Sequence, residues 1–472
     1  MTADQLSRSR RIGILLICCT SLFLVGLDIT VVNVALPTIG RDLDAGISGL
    51  QWTVDAYTVV MASLLMLSGS MADRFGRRRI FVAGLSLFSA ASLLCSFAPT
   101  VELLVAFRVL QAIGASMLNP VAMSIITNTF TEPRERARAI GVWGAVFGAA
   151  MALGPVLGGL QVSILDWRAI FLVNLPIGAA AIFLTLRFVP ESRAPRPRRF
   201  DPLGQAAVLV LLAALTYGII EAPHRGWSSP VIVGAFATAA LALAALLAHE
   251  PRRREPLVDP RFFRSAPFAS AIVISVAALA AFGGFLLLNT LYLQDVRGLS
   301  PVQAGLATTP MAVTMMLASP LSGRLVGSRG PRLPLAVAGV CTFVACAMLT
   351  GVTAETSLLW LAAAYAVFGT GFGFVNAPIT NAAVSGMPRE QAGVASAIAT
   401  TSRQFGQTLG VAVVGAIVAA GTGLPAAADA AWWTLAGLGV VVLLLGFLAT
   451  TCRARASARR TAAELNPEAL TA

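Results

Sequence analysis

Fourteen stretches of this sequence are apolar for about 20 residues at a time, with short polar segments between them. A run of that length crosses the roughly 30 Å hydrocarbon layer of a bilayer as one α-helix. Backbone N–H and C=O groups find no water there, so only helices and closed barrels can cross. The runs are continuous rather than alternating, which argues against a barrel. The sequence therefore predicts an all-α polytopic membrane protein. Composition agrees: 57% of the 472 residues are hydrophobic and 12% are charged, with a mean hydropathy of +0.80. Soluble proteins carry about twice that share of charge. The spans are expected near 12–36, 50–71, 80–98, 101–125, 138–161, 169–189, 203–221, 230–248, 267–293, 302–322, 333–351, 357–378, 393–420 and 430–451.

Charge gives the orientation. All 34 basic residues are arginine, and against 22 acidic residues they leave a net charge of +12. Such a balance could suggest a nucleic-acid partner, but position decides. Every second segment is arginine-rich; these segments hold 27 arginines, the others four (Arg41, Arg168, Arg225 and Arg297). Arg108, Arg187 and Arg403 fall within spans or at their ends. That asymmetry is the positive-inside pattern, not a nucleic-acid face. The segment 387–391, with Arg389 alone, votes weakly. An even number of spans puts both termini in the cytoplasm. Arg8, Arg10 and Arg11 before the first run imitate a secretory signal, but the run to Leu36 is too long and Asp28 interrupts it. The six cysteines show neither metal-ligand spacing nor a disulfide framework.

An internal repeat organises the spans. Pro133-Arg134-Glu135 recurs as Pro388-Arg389-Glu390, offset by 255, and Gly69 and Gly76 recur as Gly323 and Gly330, offset by 254. Two parallel six-helix halves, 1–190 and 267–451, explain both, with two extra spans and their cytoplasmic linkers in 191–266. Residues 452–472 are expected to be a cytoplasmic tail, frayed after Arg460 and without a task.

Charges inside the runs are the candidates for chemistry. Asp28 in the first span and Arg108 in the fourth lie at similar depth, so each can serve the other. They are a static packing pair or a carboxylate kept titratable by a fixed guanidinium. Asp55, near the outer end of the second span, is an interfacial residue touching water or a cavity residue. Arg403, deep in the thirteenth span, needs a partner, with Gln404, Gln407 or water as candidates. Asn33, Gln111, Asn289 and Asn376 join Asp55, Arg403 and Gln404 as cavity candidates. Gly69, Asp73, Arg74, Gly76, Arg77 and Arg78 link the second and third spans, as a plain positive anchor or as a device holding two helix ends together. In the fifth span Pro155 removes a backbone hydrogen bond, and Gly148, Gly154, Gly158 and Gly159 allow close helix approach.

Several of these patterns carry a resemblance. Gly69-x-x-x-Asp73-Arg74-x-Gly76-Arg77-Arg78 resembles the signature loop between helices 2 and 3 of the major facilitator superfamily. Leu27-Asp28-Ile-Thr-Val-Val-Asn33-Val-Ala-Leu-Pro37 resembles the first-span motif of its fourteen-span drug:proton antiporters. Leu104-Val-Ala-Phe-Arg108-Val-Leu-Gln111-Ala-Ile-Gly114 resembles their fourth-span motif, with Ala112 where glycine is more usual. Gly154-Pro155-x-x-Gly158-Gly159 resembles the fifth-span motif of exporters rather than uptake members. Trp167-Arg168 through Gly178, and Gly393-Val-Ala-Ser396 with Arg403-Gln404-x-Gly406, are similar to other segments of these exporters.

The resemblance implies two six-helix bundles with two extra spans, and proton-coupled efflux of hydrophobic or cationic drugs. It implies proton coupling through Asp28 and Arg108, a cytoplasmic gate at Gly69–Arg78, and an antiport helix around Pro155. The second copy of this loop is degraded: Gly327 stands in place of Asp73 and Ser328 in place of Arg74, so only the first half is expected to hold a charge-locked gate. The expected partners are a small-molecule substrate, protons and the lipid bilayer, with no nucleic acid. The protein is expected to be a monomer in a bacterial cytoplasmic membrane, with no cofactor and no metal, driven by the proton gradient. No Walker loop supports ATP drive. His224 and His249 fall on opposite faces, and no nucleophile–base pair suggests a membrane enzyme. A dedicated exporter of an endogenous metabolite or self-made antibiotic is the alternative; an uptake symporter fits less well.

Overall fold

The computed structural model describes residues 7–193, 201–253, 260–384, 392–420 and 424–465, with only the backbone at scattered positions of the sixth helix, at the start of the seventeenth and eighteenth, and at residues 251, 260, 384, 462 and 465. Pro388, Arg389 and Glu390 lie outside the described residues. The chain forms two compact units, the first of residues 1–205 with 299–306, the second of 206–298 with 307–472.

The first unit begins with α1 (Arg8–Asp42), α2 (Ile47–Phe75), α3 (Arg77–Ser96), α4 (Val101–Ser116) and α5 (Asn119–Thr129). It continues with α6 (Pro133–Ile164), α7 (Ala169–Leu172) and α8 (Asn174–Phe188). The chain then runs through α9 (Pro202–Arg225), α10 (Pro230–His249), α11 (Ala266–Leu291), α12 (Pro301–Ala307) and α13 (Thr309–Arg329). The remaining helices are α14 (Arg332–Met348), α15 (Leu358–Gly373), α16 (Asn376–Val384), α17 (Ala392–Ala420), α18 (Leu424–Ala449) and α19 (Cys452–Leu465). Among the described residues, twelve segments are long and apolar enough to cross a membrane. Two further apolar helices, Leu153–Ile164 and Arg332–Met348, are shorter.

Local chemistry sets the boundaries. Ser7, Thr100, Ser229 and Ser357 cap the starts of α1, α4, α10 and α15, each hydroxyl accepting from a backbone N–H three residues on. The α4–α5 break precedes Pro120, and there the turn tightens: Met117 N–H donates to the Gly114 carbonyl at 3.1 Å and Leu118 N–H to the Ala115 carbonyl at 3.0 Å. The α15–α16 break precedes Pro378 with the same device, Phe374 N–H to Gly371 and Val375 N–H to Phe372, both at 3.1 Å.

Both units pack helices in the same order. In the first, α1 lies on α6, α2 on α4, and α3 on α4 and α8. In the second, α11 lies on α17, α13 on α15, and α14 on α15 and α18. Glycines make the close crossings. A Cβ on Gly114 would lie 2.5 Å from the Phe88 amide, and one on Gly283 2.5 Å from the Gln407 carbonyl.

Gly76 and Gly330, equivalent in the repeat, both have positive φ, +114° and +79°. Their surroundings differ. A Cβ on Gly76 would sit 2.6 Å from Glu191 Oε1, whereas one on Gly330 would meet nothing within 4 Å. Gly330→Ala is therefore expected to cost only backbone strain, about 1–3 kcal/mol. Gly76→Ala is expected to cost that plus about 1 kcal/mol, because the added methyl displaces the Glu191 carboxylate from the Arg78 N–H. Thermal unfolding of both variants in detergent checks this; equal losses would refute the Glu191 contact.

Two expectations need correction. The tail is not frayed from Arg460: α19 runs to Leu465 and docks. Its Ser457 hydroxyl accepts from the Ala266 N–H at 3.0 Å, Glu464 pairs with Arg264 at 3.0 Å, and Ala454, Ala458 and Thr461 are buried at helical spacing. An alanine stripe among arginines is a weak apolar signal, which is why composition misled. The sequence also reads Trp167, with Arg168, as an outer interface anchor, and the structure encloses it instead. It is fully buried, and its Nε1–H donates to Asp42 Oδ2 at 2.8 Å, tying the end of α1 to the start of α7.

Candidate functional site

The first unit contains a buried polar cluster built from five helices. Asp28 on α1 and Arg108 on α4 form an ion pair, Nη1 to Oδ2 at 2.6 Å, with both side chains 1% exposed. Gln111, one turn beyond Arg108, lies between them. Its Oε1 accepts from Arg108 Nη1 at 2.6 Å, and its Nε2 donates to Asp28 Oδ1 at 2.9 Å. Both carboxylate oxygens of Asp28 are thus engaged. The guanidinium is fixed on its other sides by the Thr53 carbonyl of α2, which accepts from Nε at 3.0 Å, and by the Tyr57 ring 4.1 Å from Cζ.

A second layer holds the first. Ser92 on α3 accepts from Gln111 Nε2 at 2.8 Å and from Asn174 Nδ2 of α8 at 3.3 Å, and donates to the Phe88 carbonyl at 2.8 Å. Gly114 lets α4 lie close enough to α3 for Gln111 to reach Ser92. A buried charge is costly unless paired and hydrogen-bonded, and here each member is held by several others. Tyr57, Ser92 and the Thr53 carbonyl were not anticipated as members of this cluster. Asn174 was visible only as part of a motif.

Asn33 is buried on α1, its Nδ2 donating to the Ile29 carbonyl at 2.6 Å, and it makes no bond to the Asp28 cluster among those described. Asp55 is fully buried beside the Thr58 hydroxyl, which removes the water-touching interfacial reading.

The helix α6 meets α1 just beyond Asp28. Gly154 faces the Thr30 side chain, and a Cβ on Gly158 would lie 3.1 Å from Val31 Cα. Gly159 faces the Pro301 carbonyl of α12, and Gly305 of α12 faces the Pro155 carbonyl. Pro155 sits inside the helix, as expected. Gly148 falls where only the helix backbone is described.

At the arginine-rich end, Asp73 pairs with Arg77 at 2.8 Å across the Gly76 reversal. Gly69 approaches Pro120 of α5, 3.9 Å from its would-be Cβ. Arg78 does not join the aspartate. Its backbone N–H donates to Glu191 Oε1 at 3.1 Å, and its Nη1 to the Val189 carbonyl at 3.5 Å. Arg77 N–H donates to the Ser192 carbonyl at 2.9 Å, and Arg79 lies 3.7 Å from Glu191 Oε2. Arg74 is exposed, its guanidinium 5.9 Å from the Phe75 ring centre. Glu191, in a stretch whose composition reads as a linker, is thus the second acid of this end.

In the second unit, Asn289 of α11 accepts a hydrogen bond from the Tyr365 hydroxyl of α15. Phe285 stacks on Phe368 at 4.0 Å and Phe282 on Phe372 at 4.1 Å beside them. Arg403 finds a partner that was not among its candidates. Its Nη2 donates to Thr380 Oγ1 at 2.6 Å, and that hydroxyl donates to the Asn376 carbonyl at 3.0 Å. Arg403 and Asn376 are so brought together through a residue that was not anticipated. Gln404 lies half-buried on the same helix.

Residues 18–411 match the Major Facilitator Superfamily. The chain is 39% identical over 399 residues to the multidrug resistance protein Stp of Mycobacterium tuberculosis, covering 84% of this chain and 74% of the relative. It is 36% identical to a methylenomycin A resistance protein of Streptomyces coelicolor, covering 84% of each. It is 34% identical to the tetracenomycin C resistance and export protein of Streptomyces glaucescens, covering 88% of this chain and 77% of the relative. Among solved structures, a POT family transporter in complex with 5-aminolevulinic acid superposes with a TM-score of 0.69 at 13% identity, covering 93% of this chain and 96% of the other. The nucleoside transporter NupG gives a TM-score of 0.65 at 12% identity, covering 94% and 100%. At these identities the structural likeness speaks to the fold alone.

Proposed function

Because the chain belongs to the Major Facilitator Superfamily, and so is a multi-pass membrane transporter rather than an enzyme, we propose that it expels hydrophobic or cationic drugs in exchange for protons. Drug efflux follows from relatives named for multidrug and antibiotic resistance. The buried Asp28–Arg108–Gln111 cluster carries the proposal of proton coupling.

The mechanism starts from the carboxylate. A proton entering from outside binds Asp28, and its charge is lost. Arg108 stays charged, still held by the Gln111 and Thr53 oxygens and the Tyr57 ring. The attraction between α1 and α4 weakens. Close packing of α1 on α6 at Thr30 and Val31 carries the movement to α6, and from Gly159 to α12. The two halves rock, and the Asp73–Arg77 pair with Glu191 opens or latches the cytoplasmic side. Drug leaves outward and the proton leaves inward. The proton gradient is the sole energy source, and the protein acts as a monomer in a bacterial cytoplasmic membrane.

The two shorter apolar helices complete a fourteen-span topology with both termini cytoplasmic. The halves are 1–190 and 267–451, and α9 and α10 are the extra pair. In that arrangement Ser228→Cys is expected to react with an impermeant maleimide added outside intact cells. Labelling only after the membrane is opened would overturn the topology.

The relatives named for tetracenomycin C and methylenomycin A favour a second reading, a dedicated exporter of one antibiotic. A susceptibility and efflux panel in a pump-deficient host separates the two. Protection against several unrelated compounds supports the drug pump, protection against one supports the dedicated exporter, and protection against none overturns both.

A further inference from the structure

A cavity of about 520 Å³ lies on the first unit between the start of α1 and the end of α8. Its wall is apolar: Gly13, Leu16 and Ile17 from one helix face Leu184 and Phe188 from the other. Leu16 is 58% exposed and Leu184 37%, so the cavity opens away from the helix bundle. Gly13 keeps it open, since a Cβ there would meet nothing within 4 Å. The hydroxyl of Thr20 is spent within its helix, on the Leu16 carbonyl at 3.0 Å. It makes no demand for a polar occupant.

The polar groups sit at one end. Arg10 and Arg187 both line the cavity, and no carboxylate pairs with either among the described residues. Arg10 spends its Nε–H on the Phe188 carbonyl at 3.2 Å, and Arg187 leans over the Phe188 ring, 5.6 Å from its centre. Those contacts hold the two guanidiniums in place and leave N–H donors over. This is also the arginine-rich end of the helices, where a bilayer presents its phosphates. An apolar furrow with two guanidiniums at headgroup depth, neither paired with a carboxylate among the described residues, complements one chemistry, an anion attached to a hydrocarbon chain.

We propose that this furrow holds one anionic phospholipid, its phosphate between Arg10 and Arg187 and an acyl chain along Gly13 and Leu16. The lipid fills a gap between α1 and α8 that protein leaves empty. Because α1 carries Asp28, occupancy bears on the helix that the transport cycle moves. The site itself does not depend on the transport reading.

Binding is tested on the full-length protein in detergent, by native mass spectrometry against phosphatidylglycerol, phosphatidylcholine and inorganic phosphate. Wild type is expected to retain phosphatidylglycerol over phosphatidylcholine. Each of Arg10→Gln and Arg187→Gln is expected to weaken phosphatidylglycerol binding about fivefold, the effect of one basic residue near an anionic surface. Gly13→Leu puts a side chain into the furrow from a position where a Cβ meets nothing within 4 Å, and is expected to abolish retention of the same lipid with both arginines present. Inorganic phosphate alone is not expected to bind. Equal retention of the two lipids, retention unchanged in the variants, or binding of free phosphate as tight as lipid would each overturn the proposal. So would a second copy of the chain, cross-linked through Gly13→Cys, in place of the lipid.

Discussion

Asp28→Asn is expected to abolish proton-driven efflux while leaving a folded protein. The amide keeps the shape of the carboxylate and its oxygen can still accept from Arg108, but its NH2 then faces the Gln111 Nε2 donor, and it cannot take up a proton. Removing one partner from a buried pair usually costs about 3–5 kcal/mol, because the other charge is left bare. Here Arg108 retains the Gln111 Oε1 atom at 2.6 Å, the Thr53 carbonyl at 3.0 Å and the Tyr57 ring, so the loss should fall below that range. Inverted vesicles carrying the variant should show drug transport at the level of empty vesicles, at least tenfold below wild type, and no drug-evoked proton movement. The melting temperature in detergent should fall by only a few degrees. Arg108→Ala is the contrast: it strands the Asp28 carboxylate with Gln111 alone, and the yield of folded protein should drop sharply. Coupled transport at the wild-type rate in Asp28→Asn would remove this residue from the mechanism.

How much of this was legible in the sequence depends on the kind of contact. Charges in apolar runs are few, so depth alone was enough to match Asp28 with Arg108. The Gly76 reversal was legible too, since a chain that must turn between two spans needs a residue tolerant of positive φ. Neutral neighbours were not. Nearly every residue of α1 from Ile14 to Ile39 is buried, on all faces, so no polar stripe marks which side of a neighbouring span meets it. Ser92 on α3 and Tyr57 on α2 look like ordinary residues of their runs and become partners only through helix rotation. Thr380 hid in the same way from Arg403. Glu191 was hidden by its setting, since a Pro/Arg-rich stretch reads as a linker and not as the wall against which Gly76 packs.

Large side chains in the glycine face of α6 are expected to have the other large effect, and there the fold itself should fail. Val31 and Pro301 approach this helix from two sides. A Cβ on Gly158 would stand 3.0 Å from Val31 Cγ1 and 3.2 Å from the Val31 carbonyl oxygen, so alanine would press on α1 and leucine would push it away. At Gly159 even a methyl group would meet the Pro301 carbonyl carbon at 2.7 Å and Val302 Cα at 2.8 Å. Neither neighbour is the free end of a side chain; both are backbone, and backbone moves only with its helix. Overpacking a tight interior by a few carbons costs about 1–3 kcal/mol, and here the displaced elements include the helix that carries Asp28. Gly158→Leu and Gly159→Leu should therefore lose most of the monodisperse protein on size-exclusion chromatography. Gly158→Ala should retain it with reduced efflux. Gly234→Leu on α10 and Gly437→Leu on α18 are matched controls, since nothing lies within 4 Å of a Cβ at either position. Both should match wild type in yield and transport. If all four leucine variants behave alike, glycine at these positions reflects a general preference for small residues, and the close seat of α6 on α1 is not what holds this unit together.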